Sequence, residues 1–163
     1  MKETTCAFTG HRDVPDSVLP SLKEKLASEL LLLIEKGYKS FVAGGAVGFD
    51  TIAAESVLEL KGKYPDIKLH LVLPCECQDK YWNPLQKKKY KEILTLADSH
   101  EYVSIPYTRY CMHQRNRKMV DMSSVVICFF DGGDKGGTAS TVKYAEKKGI
   151  DLINVYIKSE EAF

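Results

Sequence analysis

Val42-Ala43-Gly44-Gly45-Ala46-Val47-Gly48-Phe49-Asp50 is the stretch on which our interpretation of the fold rests. It runs from the end of an apolar strand into a glycine-rich turn, and a helix is predicted to follow from Thr51. Glycine lacks the Cβ atom that keeps a ligand away from the backbone. The start of the following helix offers unpaired N–H groups and a partial positive charge. The turn is therefore a candidate seat for a phosphate or another anion, although a tight turn without a ligand would have a similar sequence.

The bulk composition indicates an ordinary globular domain. The chain has 163 residues, of which 44% are hydrophobic and 28% charged, and its net charge is +1. This length favours a single domain over residues 1–163, and the near-neutral charge demands neither a nucleic-acid nor a membrane partner. No apolar run approaches the ~20 residues of a membrane-spanning helix, and the N-terminus does not read as a signal peptide. We therefore expect a cytoplasmic protein.

The five cysteines give no sign of a disulfide framework or a metal centre. Their number is odd and their spacing irregular, whereas disulfide frameworks use regular even sets and zinc sites use paired ligands at fixed spacings. We expect reduced thiols and assign no metal ligand.

Hydrophobic periodicity predicts strands that alternate with helices along the whole chain. Strands are predicted over 4–9, 40–43, 67–73, 101–105, 124–130 and 153–157, and helices over 17–36, 51–61, 84–97, 113–122 and 138–148. Asp16 and Asn83 are the predicted N-caps of the first and third helices. Alternation of this kind predicts an α/β fold with a mostly parallel sheet of about six strands and helices on both faces.

A parallel sheet places its strand-to-helix loops along one edge. Right-handed crossovers bring the segments Thr9–Arg12, Gly44–Asp50, Pro74–Asn83 and Asp131–Thr138 to that edge. Ligands of such folds bind outside the carboxyl ends of the strands, where the strand order reverses. The candidate site residues are therefore sought in these loops.

The first of these loops contains Thr9, Gly10, His11 and Arg12. The guanidinium of Arg12 has the forked geometry that binds phosphate or carboxylate, but it would serve equally as a surface cation paired with a nearby aspartate, Asp13 or Asp16. His11 either hydrogen-bonds a ligand or braces the loop.

The second loop offers backbone amides from Gly44, Gly45, Ala46 and Gly48, to which we assign a phosphate. Asp50 follows at the predicted start of a helix. Its carboxylate is read as an N-cap, a ribose contact or both, because a carboxylate accepts several hydrogen bonds.

A second glycine-rich turn precedes the last helix. Gly136-Gly137-Thr138 directs amides and a hydroxyl to a helix start, so the two turns together suit a ligand with two polar ends, such as a nucleotide or dinucleotide. Neither turn matches G-x-G-x-x-G or the P-loop pattern, which argues against an ordinary nicotinamide-dehydrogenase site and against P-loop ATP hydrolysis. At the start of the fourth helix we expect Arg115 and Asn116, rather than Arg117, to face the ligand.

The third loop runs from Pro74, at the end of a strand, to Trp82. The single tryptophan either stacks on a base or anchors the loop by packing. Both residues belong to the predicted site.

Four segments together resemble the SLOG superfamily, and most closely its YpsA-like family. They are Thr9–Arg12, Gly44–Asp50, Arg115–Arg117 and Gly136–Thr138. The resemblance implies a Rossmann-like three-layer α/β/α fold that binds nucleotides or their derivatives, with ADP-ribose or NAD proposed as ligands, and a homodimer.

Two branches of the superfamily supply alternatives. The Smf/DprA DNA-processing proteins bind single-stranded DNA, and the LOG hydrolases cut the base from nucleoside monophosphates. The LOG hydrolases carry a catalytic glutamate at a position where this chain has Thr141. A threonine cannot supply a carboxylate, so the comparison leans against an enzyme.

The sequence thus predicts a nucleotide-binding protein that acts as a sensor or regulatory module, with no catalytic residue assigned. The alternatives are a LOG-type nucleotide N-glycosidase and a single-stranded DNA binder. The predicted ligand-binding residues are Thr9, Gly10, His11, Arg12, Gly44, Gly45, Ala46, Gly48, Asp50, Pro74, Trp82, Arg115, Asn116, Gly136, Gly137 and Thr138.

Overall fold

Six parallel strands and five helices make up the fold seen in a computed structural model, which describes residues 1–159. The elements in chain order are β1 (Thr5–Gly10), α1 (Leu19–Glu35), β2 (Ser40–Ala43), α2 (Phe49–Lys61), β3 (Lys68–Leu73), α3 (Pro84–Leu96), β4 (Ser99–Tyr102), α4 (Cys111–Asp121), β5 (Val125–Phe129), α5 (Gly137–Lys147) and β6 (Asp151–Asn154). The predicted Rossmann-like α/β/α architecture is confirmed, and the sheet is parallel throughout.

The strand order is β4-β3-β2-β1-β5-β6, so the direction of winding reverses at β1. The chain builds outward from β1 through β2, β3 and β4, and then crosses back to place β5 on the other side of β1. In β1, Thr9 pairs with Cys128 and Gly10 pairs with Phe129 of β5. A crevice forms where loops leave such a reversal in opposite directions, and this is where open α/β sheets bind ligands.

Two apolar clusters hold the helices against the sheet. The larger cluster packs α1, α2 and α3 on one face and includes Phe8, Leu26, Phe41 and Phe49. The smaller cluster packs α4 and α5 on the other face and includes Val126 of β5. The side chains of β5 are buried on both faces, as its continuous apolar sequence predicts.

The ends of two strands differ from the sequence-based expectation. The fourth strand lies over Ser99–Tyr102 rather than 101–105, and the sixth over Asp151–Asn154 rather than 153–157. Both are edge strands, in which polar side chains are tolerated. In β4 the hydroxyl of Ser99 and the carboxylate of Glu101 lie 2.5 and 2.7 Å from the two ring nitrogens of His70 on β3. A prediction based on the spacing of apolar residues does not detect strand positions that are held by polar pairs.

The two predicted helix caps have opposite outcomes. Asp16 lies in a 3₁₀ turn, and α1 begins beyond it with Val18 at its N-cap and no side-chain capping bond, so the predicted Asp16 cap is wrong. Asn83 caps α3 as predicted: its Oδ1 accepts the N–H of Gln86 at 2.8 Å, and Pro84 occupies the first helical position. None of the helices within residues 1–159 combines the length and the apolar character needed to cross a membrane.

Candidate functional site

A cavity of about 400 Å³ opens at the point where the strand order reverses. It lies beyond the carboxyl ends of β1 and β5, between the turns that lead into α2 and α5. Its lining residues are Thr9, Gly10, His11, Arg12, Ala46, Asp50, Met112, Arg115, Asn116, Lys135, Gly136, Gly137 and Thr138. Ala46 and Gly136, one from each glycine-rich turn, therefore face the same space.

The glycines of the 44–48 turn pack against the protein itself. A Cβ atom at Gly44 would lie 2.5 Å from Nη1 of Arg115, and one at Gly45 would lie 2.6 Å from Cδ2 of Leu73. Gly48 has φ +79°, and its Cβ would lie 2.6 Å from Cα of Arg12. None of the three glycines lines the cavity. They allow the turn to approach β3, α4 and the segment after β1, so the close approach is one of protein to protein.

Arg115 ties the first turn of α4 to this glycine turn. Its side chain is buried, its Nη1 donates to the carbonyl of Gly44, and its Nε donates to Oδ1 of Asn116 at 2.7 Å. Arg115 and Asn116 both line the cavity, whereas Arg117 projects to the outer surface over the ring of Tyr144. The sequence-based division between these neighbours agrees with their positions, since successive helical residues diverge by roughly 100°.

Asp50 lies in the first turn of α2, one residue after the helix begins. The N-cap of α2 is Gly48 rather than Asp50, but the buried carboxylate of Asp50 still serves the turn: its Oδ2 accepts the N–H of Ala46 at 3.3 Å. Burial raises the pKa of Asp50, and the charges of Arg115 and Arg12 together with the Ala46 N–H oppose that shift. Burial likewise lowers the pKa of Arg115, opposed by the Asp50 charge. The site thus holds an acidic and a basic side chain that are both buried, and burial disfavours the charged form of each.

Two more cations face the cavity from exposed positions. Arg12 has its Nη2 3.3 Å from the sulfur of Met112, and no ion pair joins it to Asp13 or Asp16 within residues 1–159. Lys135 lies in the turn before α5. Together with Arg115 they outnumber Asp50, so the cavity is suited to an anion.

His11 braces the loop and also lines the cavity. Its Nε2 lies 3.0 Å from the backbone N and 3.1 Å from Oδ1 of Asp131, so it either accepts the N–H as a neutral ring or donates to the carboxylate. The ring also packs on Phe129 and Phe130. Both roles expected from the sequence are therefore compatible with its position.

The start of α5 presents backbone donors to the cavity. Gly136 is its N-cap with φ +102°, and a Cβ there would meet nothing within 4 Å. The N–H groups of Gly137 and Thr138 have no backbone acceptor in the described part of the chain. Thr141, which the resemblance to the LOG hydrolases sets opposite their catalytic glutamate, donates its hydroxyl to the carbonyl of Gly137 at 2.8 Å. The turn offers amide donors, and the hydroxyl of Thr141 is engaged within the helix.

Besides the three glycines, two more predicted site residues lie outside the cavity. Trp82 packs edge-on against Tyr90 of α3, with ring centroids 5.3 Å apart, in the position of a loop anchor. Pro74 lies at the end of β3, where its carbonyl accepts the N–H of Ser104. Neither lines the cavity. The loop after β3 packs instead against the 44–48 turn, where Nε2 of Gln78 donates to the carbonyl of Gly45 at 3.4 Å.

Two lining residues were missed by the sequence analysis. Met112 was placed before the predicted start of α4 at residue 113, but the helix begins at Cys111 and turns Met112 inward. Lys135 lies inside the second glycine-rich turn, and a cation between glycines in a candidate anion-binding turn could have been predicted to line the site.

Comparisons with known proteins give the chain its family. The model of the YpsA family, described as the YspA SLOG family, matches residues 9–158. The uncharacterized SPbeta prophage-derived protein YoqJ of Bacillus subtilis (strain 168) is 35% identical over 141 residues, which cover 77% of this chain and 81% of that protein. The UPF0398 protein YpsA of the same organism is 26% identical over 138 residues, covering 82% and 75%.

A solved structure shares the fold. DNA processing protein A (DprA) from Streptococcus pneumoniae superposes with a TM-score of 0.65 at 18% identity. The match covers 92% of this chain and 49% of the DprA chain, so this chain corresponds to about half of DprA. The fold, the family match and the relatives agree, and the chain belongs to the YpsA family of SLOG proteins.

Proposed function

We propose that this protein binds a small nucleotide-type ligand, such as ADP-ribose or NAD, in the cavity at the strand reversal and acts as a sensor or regulatory module. The observation that carries the proposal is the convergence of a buried guanidinium, Arg115, and the free amides of Gly137 and Thr138 on one cavity. Amides at a helix start and a fixed arginine are the donors that phosphate requires. The module would act in the cytoplasm, where thiols stay reduced.

The phosphate is best placed at the start of α5. The positive end of the helix macrodipole, the Lys135 ammonium and the Gly137 and Thr138 amides favour negative charge there. In the 44–48 turn the Ala46 N–H is already bonded to Asp50, whose carboxylate would repel a phosphate. We therefore move the phosphate from that turn, where the sequence suggested it, to the second one.

The sugar is assigned to the other end of the cavity. Asp50 uses Oδ2 for the turn, and its Oδ1 has no donor within residues 1–159. A free carboxylate oxygen accepts hydrogen bonds from adjacent ribose hydroxyls, as acidic residues do in other dinucleotide sites. The opposite charges of Asp50 and Arg115 thus suit a ligand that has hydroxyls at one end and a phosphate at the other.

Binding without hydrolysis is favoured over the LOG-type reaction. Cleavage of the glycosidic bond needs a carboxylate to stabilise the cationic sugar or to activate water. Thr141 cannot supply one, and its hydroxyl is bonded to Gly137. Among the described residues that line the cavity, Asp50 is the sole carboxylate, and it already supports the glycine turn.

A thermal-shift panel with AMP, ADP, ADP-ribose and NAD tests the proposal. A ligand at a hundred times its Kd stabilises the fold by about 2.7 kcal/mol. We expect a shift with at least one member of the panel and its loss in Arg12→Ala, because Arg12 lies at the cavity and is exposed. Arg109→Ala removes an exposed arginine that lies outside the cavity and serves as the matched control. No shift with any ligand, or equal shifts in both variants, would contradict the proposal.

A further inference from the structure

A basic groove of about 530 Å³ lies beside the cavity, between α4 and α5. Its charged side chains are Arg117, Lys135, Lys143 and Lys147, set against a single carboxylate, Asp134. Four cations against one anion give this small surface a strong positive potential on a chain whose total charge is +1.

The cations of the basic groove are not neutralised by the protein. None of the four forms an ion pair within residues 1–159. Lys143 and Lys147 stand four residues apart on α5, where like charges repel and destabilise the helix. An anion bound from solution would relieve this repulsion.

One aromatic side chain forms the floor of the basic groove. The hydroxyl of Tyr144 donates to Oδ1 of Asp121 at 2.8 Å, which fixes the ring. The guanidinium of Arg117 lies 4.8 Å from the ring centroid, and the ammonium of Lys148 lies 5.5 Å from it. Cation–π contacts of this kind orient the cations and leave their N–H groups free for an anion.

The basic groove and the cavity adjoin each other. Lys135 and Gly136 line both of them. The ridge between the two spaces is the backbone at Gly136, where even an added Cβ would meet nothing within 4 Å. A ligand seated on the amides of α5 therefore lies next to the lysines of the basic groove.

We propose that the ligand is a nucleotide with a second phosphate group, and that the basic groove holds this second phosphate while the cavity holds the first. The inference rests on the proposed function, since it extends a nucleotide already seated in the cavity. Phosphate fits the basic groove better than a single carboxylate does, because its higher charge and three oxygens engage several cations at once.

Matched ligand pairs test this inference. Calorimetry compares AMP with ADP, and AMP with adenosine 3′,5′-bisphosphate, so that the members of each pair differ by a second phosphate. We expect at least one pair in which the added phosphate lowers Kd about tenfold, the effect of one charge-assisted hydrogen bond. In Lys143→Gln/Lys147→Gln the ratio of the two Kd values for that pair should fall to about one. Measurements at low ionic strength keep these exposed charges from being screened.

The control variant is Lys25→Gln/Lys36→Gln, which removes the same charge from exposed positions on α1 and just after it. It should keep the tenfold ratio. Melting of each unliganded variant checks that the fold is intact, and relief of the repulsion on α5 should leave the Lys143/Lys147 variant at least as stable as the parent.

The outcomes separate the two proposals. If nucleotides bind but no pair shows a gain from the extra phosphate, or if the gain survives in the Lys143/Lys147 variant, the second-phosphate inference is overturned and the proposed function stands. If no nucleotide binds at all, the proposed function itself has failed. Tighter binding of a single-stranded oligothymidylate than of every small ligand, lost in the same variant, would assign the basic groove to nucleic acid and also overturn the inference.

Discussion

Replacing Gly48 by alanine should destabilise the protein more than any other glycine substitution outside the core. Gly48 has φ +79° and ψ −127°, and a Cβ there would overlap the carbonyl oxygen of Arg12 and lie 2.6 Å from its Cα. A positive φ costs an L-residue about 1–2 kcal/mol in the left-handed helical region, and the ψ of Gly48 lies outside that region, so this cost is a lower bound. Overpacking typically costs about 1–3 kcal/mol more. The backbone of Arg12 cannot rotate away as a side chain would, because the N–H of Phe49 already bonds the adjacent His11 carbonyl at 3.1 Å.

The two contributions to this cost can be separated by a second glycine. Gly149 has φ +72°, and nothing lies within 4 Å of its Cβ position, so Gly149→Ala carries the conformational strain alone. Urea unfolding at 25 °C gives the free energy of unfolding of each variant by linear extrapolation. We expect a loss of about 2–5 kcal/mol for Gly48→Ala and about 1–2 kcal/mol for Gly149→Ala. Equal losses would refute the reasoning, since they would mean that the 44–48 turn does not press on the segment after β1. Because that segment carries Arg12, any ligand response should weaken in Gly48→Ala but not in Gly149→Ala.

Three further outcomes are expected. Asp98 is partly desolvated, which raises the pKa of its carboxyl, but its hydrogen bonds to the Lys61 ammonium and the Leu69 N–H hold that pKa below the ordinary value near 3.8. The stabilisation is therefore present above that value and is lost as pH falls through the lowered pKa. In urea titrations Asp98→Asn should cost about 1–3 kcal/mol at pH 7, and this cost should shrink as the pH is lowered. Trp82→Phe should lower the melting temperature and leave nucleotide affinity unchanged by calorimetry, and a loss of affinity with an unaltered melting temperature would restore the base-stacking interpretation. Cys77 is exposed, whereas the nearby Cys75 is buried, and burial raises the pKa of Cys75 to about 11. Alkylation of the native protein at pH 8, followed by mass spectrometry, should therefore modify Cys77 first. Faster modification of Cys75 would show that the loop opens.

The general layout of the site could be predicted from the sequence because topology determines it. Alternating strands and helices require a parallel sheet, and a parallel sheet gathers its strand-to-helix turns at one edge. The segments Thr9–Arg12 and Gly136–Thr138 therefore meet at the cavity although more than a hundred residues separate them. Asn83 could also be predicted, since an N-cap is a local interaction.

The direction in which side chains point could not be predicted in the same way. Gly44, Gly45 and Gly48 lie in the expected turn, but the atoms that their missing Cβ would meet belong to other elements. Trp82 turns toward Tyr90 because α3 offers an apolar surface there. Tertiary packing determines both the contacts of these glycines and the direction of Trp82, and it cannot be inferred from a local sequence pattern. Met112 was missed for a different reason: a two-residue error in the start of α4 places it outside the helix.

The unequal division of apolar burial between the two faces has a mechanical consequence. Opening of a layer costs less where fewer apolar contacts are lost, so we expect α4 and α5, which pack on the smaller cluster, to open more readily than the opposite helices. Arg115 and the Gly136–Thr138 turn belong to the layer of α4 and α5. Asp50 lies in α2, which packs on the larger cluster, and Ala46 lies in the turn before that helix. A molecule that contacts both the α4–α5 layer and the α2 side of the cavity would stabilise the closed position of α4 and α5. Binding in the cavity and closure of that layer would then be coupled in one equilibrium.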